Sequence, residues 1–455
     1  MKKLFRTMPA VVLAVLLTGC GQGTQETMNA GYEETANAET EAAPGSGTGT
    51  AGEETDAGTE SVGPDETASA WRYQGSGTVT GSDALTEGQQ EILLEFMDAY
   101  YQSMAELEVQ DCSGLFIEDG GHEQFRAQVD GTSWTAVTDN HTQAAMHRAV
   151  WETMIGIRRA SGLDLRLSSY DYQLDCLNIY EQEDGCVQVE VMEYADMRFA
   201  HTPDTDSSVT GVWHSFVMRE ADGKWFLTHH AAYDSAYFGF LRWENSSTGR
   251  STETASEEEL EAIARQRIRA AEEQIALRGQ QAAGEEAAPE AEHAYDREAA
   301  VAYAREWAGE RNPRWQAYDG SGGNCMNFVS QSLYASGIPM DESGDARWYW
   351  YSDGNRAPAW TGVDSFRVYA RDNTGYGLSA QVGAVYDTGE EGDVILMSAD
   401  GNYHHAVIIS QAVRDEDGRT IDYLICSNTG NYRDFPVSAY VYAEQELVRI
   451  AGWNG

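Results

Sequence analysis

Lysine is almost missing from this 455-residue chain: Lys2, Lys3 and Lys224 are the whole set. Arginine does not restore the balance, because 74 acidic residues face 30 basic ones and the formal net charge is -44. Such a charge repels phosphate backbones and argues against nucleic acid as a partner. It suits a solvated, extracellular-type surface. Cysteine is sparse as well, with only Cys20, Cys112, Cys176, Cys186, Cys325 and Cys426. They show neither C-x-x-C pairs nor the even spacing of a disulfide framework, which speaks against zinc ribbons and stapled scaffolds. If Asp184-Gly185 closes a two-residue hairpin, Cys186 faces Glu183 and Cys176 faces Glu193, so these two thiols do not bridge. The apolar run Ala10 to Leu17 is too short to span a bilayer as a helix. What is present, 42% hydrophobic and 11% aromatic residues, suffices for real cores, and the length points to more than one domain.

Residues 1–20 read as a targeting segment. Lys2, Lys3 and Arg6 give the positive start, and the apolar run ends in Leu17-Thr18-Gly19-Cys20. That ending resembles a bacterial lipoprotein lipobox, which implies cleavage before Cys20, lipidation of its sulfur and anchoring to the outer face of the cell membrane. An ordinary secretory signal cut nearby would also export the chain. Residues 21–82 are rich in Gly, Thr, Glu and Ala and carry no basic residue before Arg72. They are expected to be a disordered acidic linker, since they cannot bury enough apolar surface to offset ordering entropy.

Residues 83–245 read as an α+β domain. Thr86 and Gln89 form a capping box before the stripe Ile92, Leu93, Phe96, Tyr100, Met104 and Leu107. A second helix is expected over 143–160, with Met146, Val150, Met154 and Ile157 on one side. Strand-like stretches follow, at Tyr170 to Tyr180, Cys186 to Phe199, Val212 to Arg219 and Trp225 to His230, with Asp184-Gly185 and Asp222-Gly223 as turns. The long helix ending in Asp-Cys-Ser-Gly-Leu-Phe, with Asp222-Gly223-Lys224-Trp225 in the later meander, resembles the SnoaL-like cone fold, which holds a pocket. His214, His229 and His230 are candidates to line it, and structural packing is the preferred role for them. Residues 246–293 are charged and alanine-rich. Leu260, Ile263, Ile268 and Ile275 predict a solvated linker helix there.

Residues 294–455 carry the chemistry. Gly322-Gly323-Asn324 gives a bend and an N-cap, and Cys325 opens a helix whose apolar face is Phe328, Val329 and Leu333. A cysteine on the first helical turn feels the positive end of the dipole, which favours thiolate, the nucleophilic form. The stretch alone is equally compatible with a buried structural cysteine. Gly392 to Leu396, His404 to Ile409 and Tyr423 to Asn428 follow as strands. A thiolate needs a base that later protonates the leaving amine, an imidazole does both, and a third polar group orients the ring. Adjacent strand residues face opposite sides, so His404 and His405 cannot converge on one zinc ion. No cofactor is expected.

The set Tyr295-Asp296-Arg297, Asn312-Pro313, Gly322 to Gln331, Trp348-Tyr349, Trp360-Thr361, Gly392 to Ile395 and His405 with its strand resembles the bacterial "putative amidase domain" family. That family is similar to NlpC-type and CHAP cysteine hydrolases with a papain-like fold. The resemblance implies Cys325 as nucleophile, His405 (chosen over His404) as base and Asn428 as orienting residue, with Ser427 or Asn431 as other partners for the ring. Asn324 stands where the family usually has Asp, and Met326 where it usually has Thr. Trp348, Tyr349, Trp350 and Trp360 are expected as core and cleft walls, and Cys426 as buried packing. The implied function is a lipid-anchored cysteine amidase or peptidase acting on a peptide amide of peptidoglycan. A surface-anchored binding protein with an inactive amidase fold, and acyl transfer to an amine, are the alternatives.

Overall fold

The computed structural model describes residues 71–117, 125–129, 132–136, 142–182, 185–232, 234, 240, 244–245, 250–251, 255–280, 289–319, 323–344, 346–398 and 402–455. The expected signal segment, the lipidation site Cys20, most of the acidic linker, Asp184 and Gly322 lie outside them. The fold is mixed α+β. Seven helices are named here: α1 (Glu87–Glu106), α2 (Gln143–Ala160), α3 (Glu257–Gln280), α4 (Arg297–Trp307), α5 (Cys325–Ala335), α6 (Pro358–Thr361) and α7 (Val363–Asp372). Eleven strands share one sheet: β1 (Gln74–Thr80), β2 (Leu167–Glu181), β3 (Val187–Phe199), β4 (Ser207–Ala221), β5 (Lys224–Ala232), β6 (Gly377–Ala384), β7 (Val394–Ser398), β8 (Tyr403–Arg414), β9 (Thr420–Ser427), β10 (Tyr432–Pro436) and β11 (Glu444–Asn454).

Local signals account for several of these elements. Thr86 and Gln89 form the reciprocal capping box in front of α1, and Leu107 closes that helix in the left-handed region. Asp222 and Gly223, both at positive φ, make the two-residue turn that pairs Ala221 with Lys224. Three expectations need correction. The acidic linker was expected to run to Ser82, yet Gln74–Thr80 forms β1, paired parallel to β2. A short polar segment can still order when a sheet edge supplies its hydrogen bonds. The hairpin after β2 is not the two-residue type: Gln182 N–H donates to the Cys186 carbonyl, and Cys176 lies opposite Val191 rather than Glu193. Neither thiol forms a disulfide, and Cys186 Sγ accepts from Arg219 Nε at 3.2 Å.

The third correction concerns α3. It is not a solvated linker, because Leu260, Ala264 and Ala271 are buried and the first two join the core beneath α2. Gly156 of α2 admits this approach: a Cβ there would lie 2.4 Å from Ile268 Cδ1. Substituting Gly156→Val should therefore wedge the helices apart and cost about 1–3 kcal/mol. The check is the urea midpoint, which is expected to fall while the wild-type slope is kept.

The sheet order is β1-β2-β3-β4-β10-β9-β8-β7-β11-β6, with β5 also on β4. One edge of β4 serves two partners. Its first part pairs with β10 through Ser208 and Val209, and its second part pairs with β5 from His214 onward. Arg72–Gly455 accordingly belong to one compact unit. Alternate residues of the later strands feed two cores. Ile395, Met397, Val407 and Ile409 join the core of α1, α2 and β2–β5. Val394, Leu396, Ala406 and Ile408 join the core of α4 to α7.

Candidate active site

The site is built where α5 begins. Asn324 precedes the helix but does not cap it with its side chain, contrary to expectation. Its Oδ1 instead accepts from Tyr318 N (3.2 Å) and Asn327 Nδ2 (2.8 Å), and its Nδ2 donates to Asn428 Oδ1 (2.9 Å). Its main-chain N–H donates to Thr429 Oγ1 at 2.9 Å. Thr429, with φ 70°, opens three successive residues in the left-handed region, followed by Gly430 and Asn431. A β-branched residue there costs on the order of 1–3 kcal/mol and persists only where the surroundings demand it. Here the conformation brings the threonine hydroxyl to the entrance of α5.

Asn428 is buried and completes this clamp. Its Nδ2 donates to the carbonyls of Trp307 (2.9 Å) and Ala308 (2.8 Å), so it ties the end of α4 to the start of α5. These contacts leave it off any imidazole, and the orienting role assigned to it from sequence is corrected accordingly. Ser427 Oγ meets Tyr440 OH at 3.2 Å, and Asn431 binds Arg311 and the Gly211 carbonyl. Asn428→Ala would strand two buried carbonyls and the Asn324 amide. We expect a loss of about 2–3 kcal/mol, read as a lower thermal midpoint.

Cys325 is 5% exposed and packs in the core of α4 to α7. Its Sγ lies 3.9 Å from the main-chain oxygen of His404. His405 does not join it. His405 pairs across the sheet with Met397 and precedes Val407 and Ile409, which all face the other core. Its Nε2 is 3.0 Å from Tyr440 OH, and its ring packs against Tyr440 and Tyr442. Burial, and secondarily the neighbouring His404, lower its pKa to about 3. Burial thus disfavours the protonated ring that a general base forms when it takes a thiol proton. Strand alternation holds here, and it turns the His405 ring toward Tyr440 and Tyr442.

His404 is the other histidine here, and its main-chain oxygen is the group that Cys325 Sγ approaches. Met397 pairs with His405 while Ser398 pairs with Tyr403, so His404 is the extra residue of an irregularity in β8. Such bulges re-aim side chains. The half-buried ring has Nδ1 2.8 Å from the Asn402 carbonyl and stands edge-on to Tyr442. A carbonyl only accepts, so Nδ1 carries the hydrogen and Nε2 presents its lone pair. The Asn402 carbonyl leaves no signature in sequence, because any residue type supplies one.

The aromatic cluster divides in two. Trp348 and Trp360 are fully buried, and their ring N–H groups donate to Ser330 Oγ and Asn327 Oδ1, both at 2.9 Å. Tyr349 and Trp350 are half-buried. Cys426 is buried in the same core as Cys325, and burial pushes its thiol up to about 12, which leaves it a packing residue. In the first part of the chain, His214 and His230 are buried and linked to each other at 2.9 Å, with Glu193 on the far side of His214.

An uncharacterized protein of Bacillus subtilis (strain 168), YhbB, is 34% identical over 118 residues. The aligned stretch covers 25% of this chain and 37% of that relative. Residues 294–450 match the model of a family described as "Putative amidase domain". The region that holds the Cys325 helix and the His404 strand is thus the region with an amidase-domain match, which points to hydrolysis of an amide bond.

Proposed function

We propose that this protein is a cysteine-dependent amide hydrolase, anchored through a lipid on Cys20 to the outer face of a bacterial membrane and acting on peptide amides of peptidoglycan. The observation that carries the chemistry is Cys325 opening α5 against the main chain of His404, inside the amidase-matching region. In this reading the Cys325 thiol gives its proton to His404 Nε2, and the sulfur attacks the amide carbon. The main-chain N–H of Cys325, among the first-turn donors of its helix, stabilises the oxyanion. The C–N bond then breaks, the amine leaves with the proton from His404, and a thioester remains. Water attacks it, returning one proton through His404 to the sulfur and releasing the carboxylic acid. The His404 ring meets the sulfur as the substrate-bound geometry tightens.

The test pairs amine release from purified wall peptides with mapping of iodoacetamide adducts. Labelling of Cys325 near neutral pH with parallel loss of release supports the proposal. Release that continues from fully labelled protein defeats it. The burial of Cys325 favours a second reading, a surface-anchored protein that binds wall peptide without cutting it. An unreactive thiol together with saturable peptide binding would select that one.

A further inference from the structure

A cavity of about 30 Å³ lies between the first core and the turn that follows β10. Tyr100, Tyr101, Arg158, Glu193, Tyr432 and Tyr440 line it, with methionine and valine side chains completing the walls. That volume takes a group the size of two or three water molecules. Arg158 of α2 is 3% exposed. Its Nε donates to the Ala439 carbonyl at 3.4 Å, and its Nη1 is buried with no hydrogen-bond partner. Its guanidinium carbon stands 5.8 Å from the Phe199 ring. None of the described carboxylates forms an ion pair with it. Glu193 is committed elsewhere: Tyr101 OH donates to its Oε1, and its Oε2 is 2.9 Å from His214 Nε2. Asp234 also lines the cavity, and its charge bears on Tyr100 and Tyr432.

A guanidinium remains charged inside a protein, and a buried charge without a counter-charge is costly. Its planar fork fits a carboxylate with two parallel hydrogen bonds. The tyrosines hold their protons, since burial raises both Tyr100 and Tyr432 above the usual phenol range. They are therefore hydrogen-bond donors toward an anion. The methionine and valine walls leave room for no more than a methyl group beyond the carboxylate. We propose that this cavity is a binding site for a small carboxylate, gripped by the Arg158 guanidinium with tyrosine hydroxyls as further donors. The site is separate from Cys325, and its existence does not depend on the hydrolase reading.

Titration calorimetry of the purified full chain tests it, in a buffer free of carboxylates, with formate and acetate as probes. Acetamide, chloride and phosphate are the controls. Saturable binding of a carboxylate is expected, with none for the amide of the same shape. Arg158→Met should weaken it by about tenfold or more, the loss of a charge-assisted hydrogen bond. Arg158→Lys should fall between, and Tyr432→Phe should weaken binding without removing the charge. The amide comparison on wild-type protein keeps the test decisive if the methionine variant does not fold. Three results would overturn the proposal: no saturable heat with any carboxylate, equal binding of the amide, or chloride or phosphate binding as tightly as the carboxylates.

Discussion

Replacing Cys325 by alanine should reduce amide hydrolysis by at least about 10⁴-fold. The nucleophile and its base act as a unit, so removing the sulfur leaves only what oxyanion donors and substrate binding provide. The fold should survive, because Cys325 contributes a small side chain to a core dominated by Phe328, Trp348, Trp360 and Phe366. The stability loss expected from so small a truncation is about 1 kcal/mol. Amine release and thermal unfolding, measured on the same preparation, separate the two effects. Hydrolysis at the wild-type rate would remove the cysteine from the mechanism.

The second large effect divides the two neighbouring histidines. His404→Ala should lower the rate by about 10²–10⁴-fold, the range for loss of a general acid–base, with little change in stability. His405→Ala should do the reverse. It empties a buried site and leaves Tyr440 OH without its ring partner, at a cost of about 2–3 kcal/mol. The pH dependence of stability gives an independent signature. His405 has a folded pKa of about 3, below the ordinary histidine value, so the unfolded chain binds more protons over that interval. Its contribution to stability is present above the unfolded pKa and is lost as pH falls toward 3. That part of the slope should vanish in His405→Ala and persist in His404→Ala. A rate collapse in His405→Ala with an active His404→Ala would reverse the assignment.

Much of the fold was legible because the signals are local. A capping box, a helical stripe and an aspartate-glycine turn are written within a few residues, and α1, α2, β5 and α5 follow from them. The direction of the His405 ring was not legible because the choice of face is a tertiary fact. Alternation says that His404 and His405 diverge, but not which core lies on which side. The local break in register between β7 and β8 is invisible in a string of residues. Asn428 lies beside Asn324 at the start of α5, yet its amide donates to the Trp307 and Ala308 carbonyls, groups common to all residue types. The docking of α3 escaped notice because it needs only a glycine opposite Ile268 and a few buried alanines.

The shared edge of β4 has a consequence for how this molecule can be divided. A cut before Tyr295 would uncover β10 along its hydrogen-bonding edge and expose Val407, Ile409 and Tyr440 to water at the same time. Open strand edges and greasy flanks are what chains aggregate through. The segment with the amidase-domain match is therefore not a portable module. Damage to the helices of the first part, far in sequence from Cys325, reaches the strand of His404 and His405 by withdrawing the floor on which it rests.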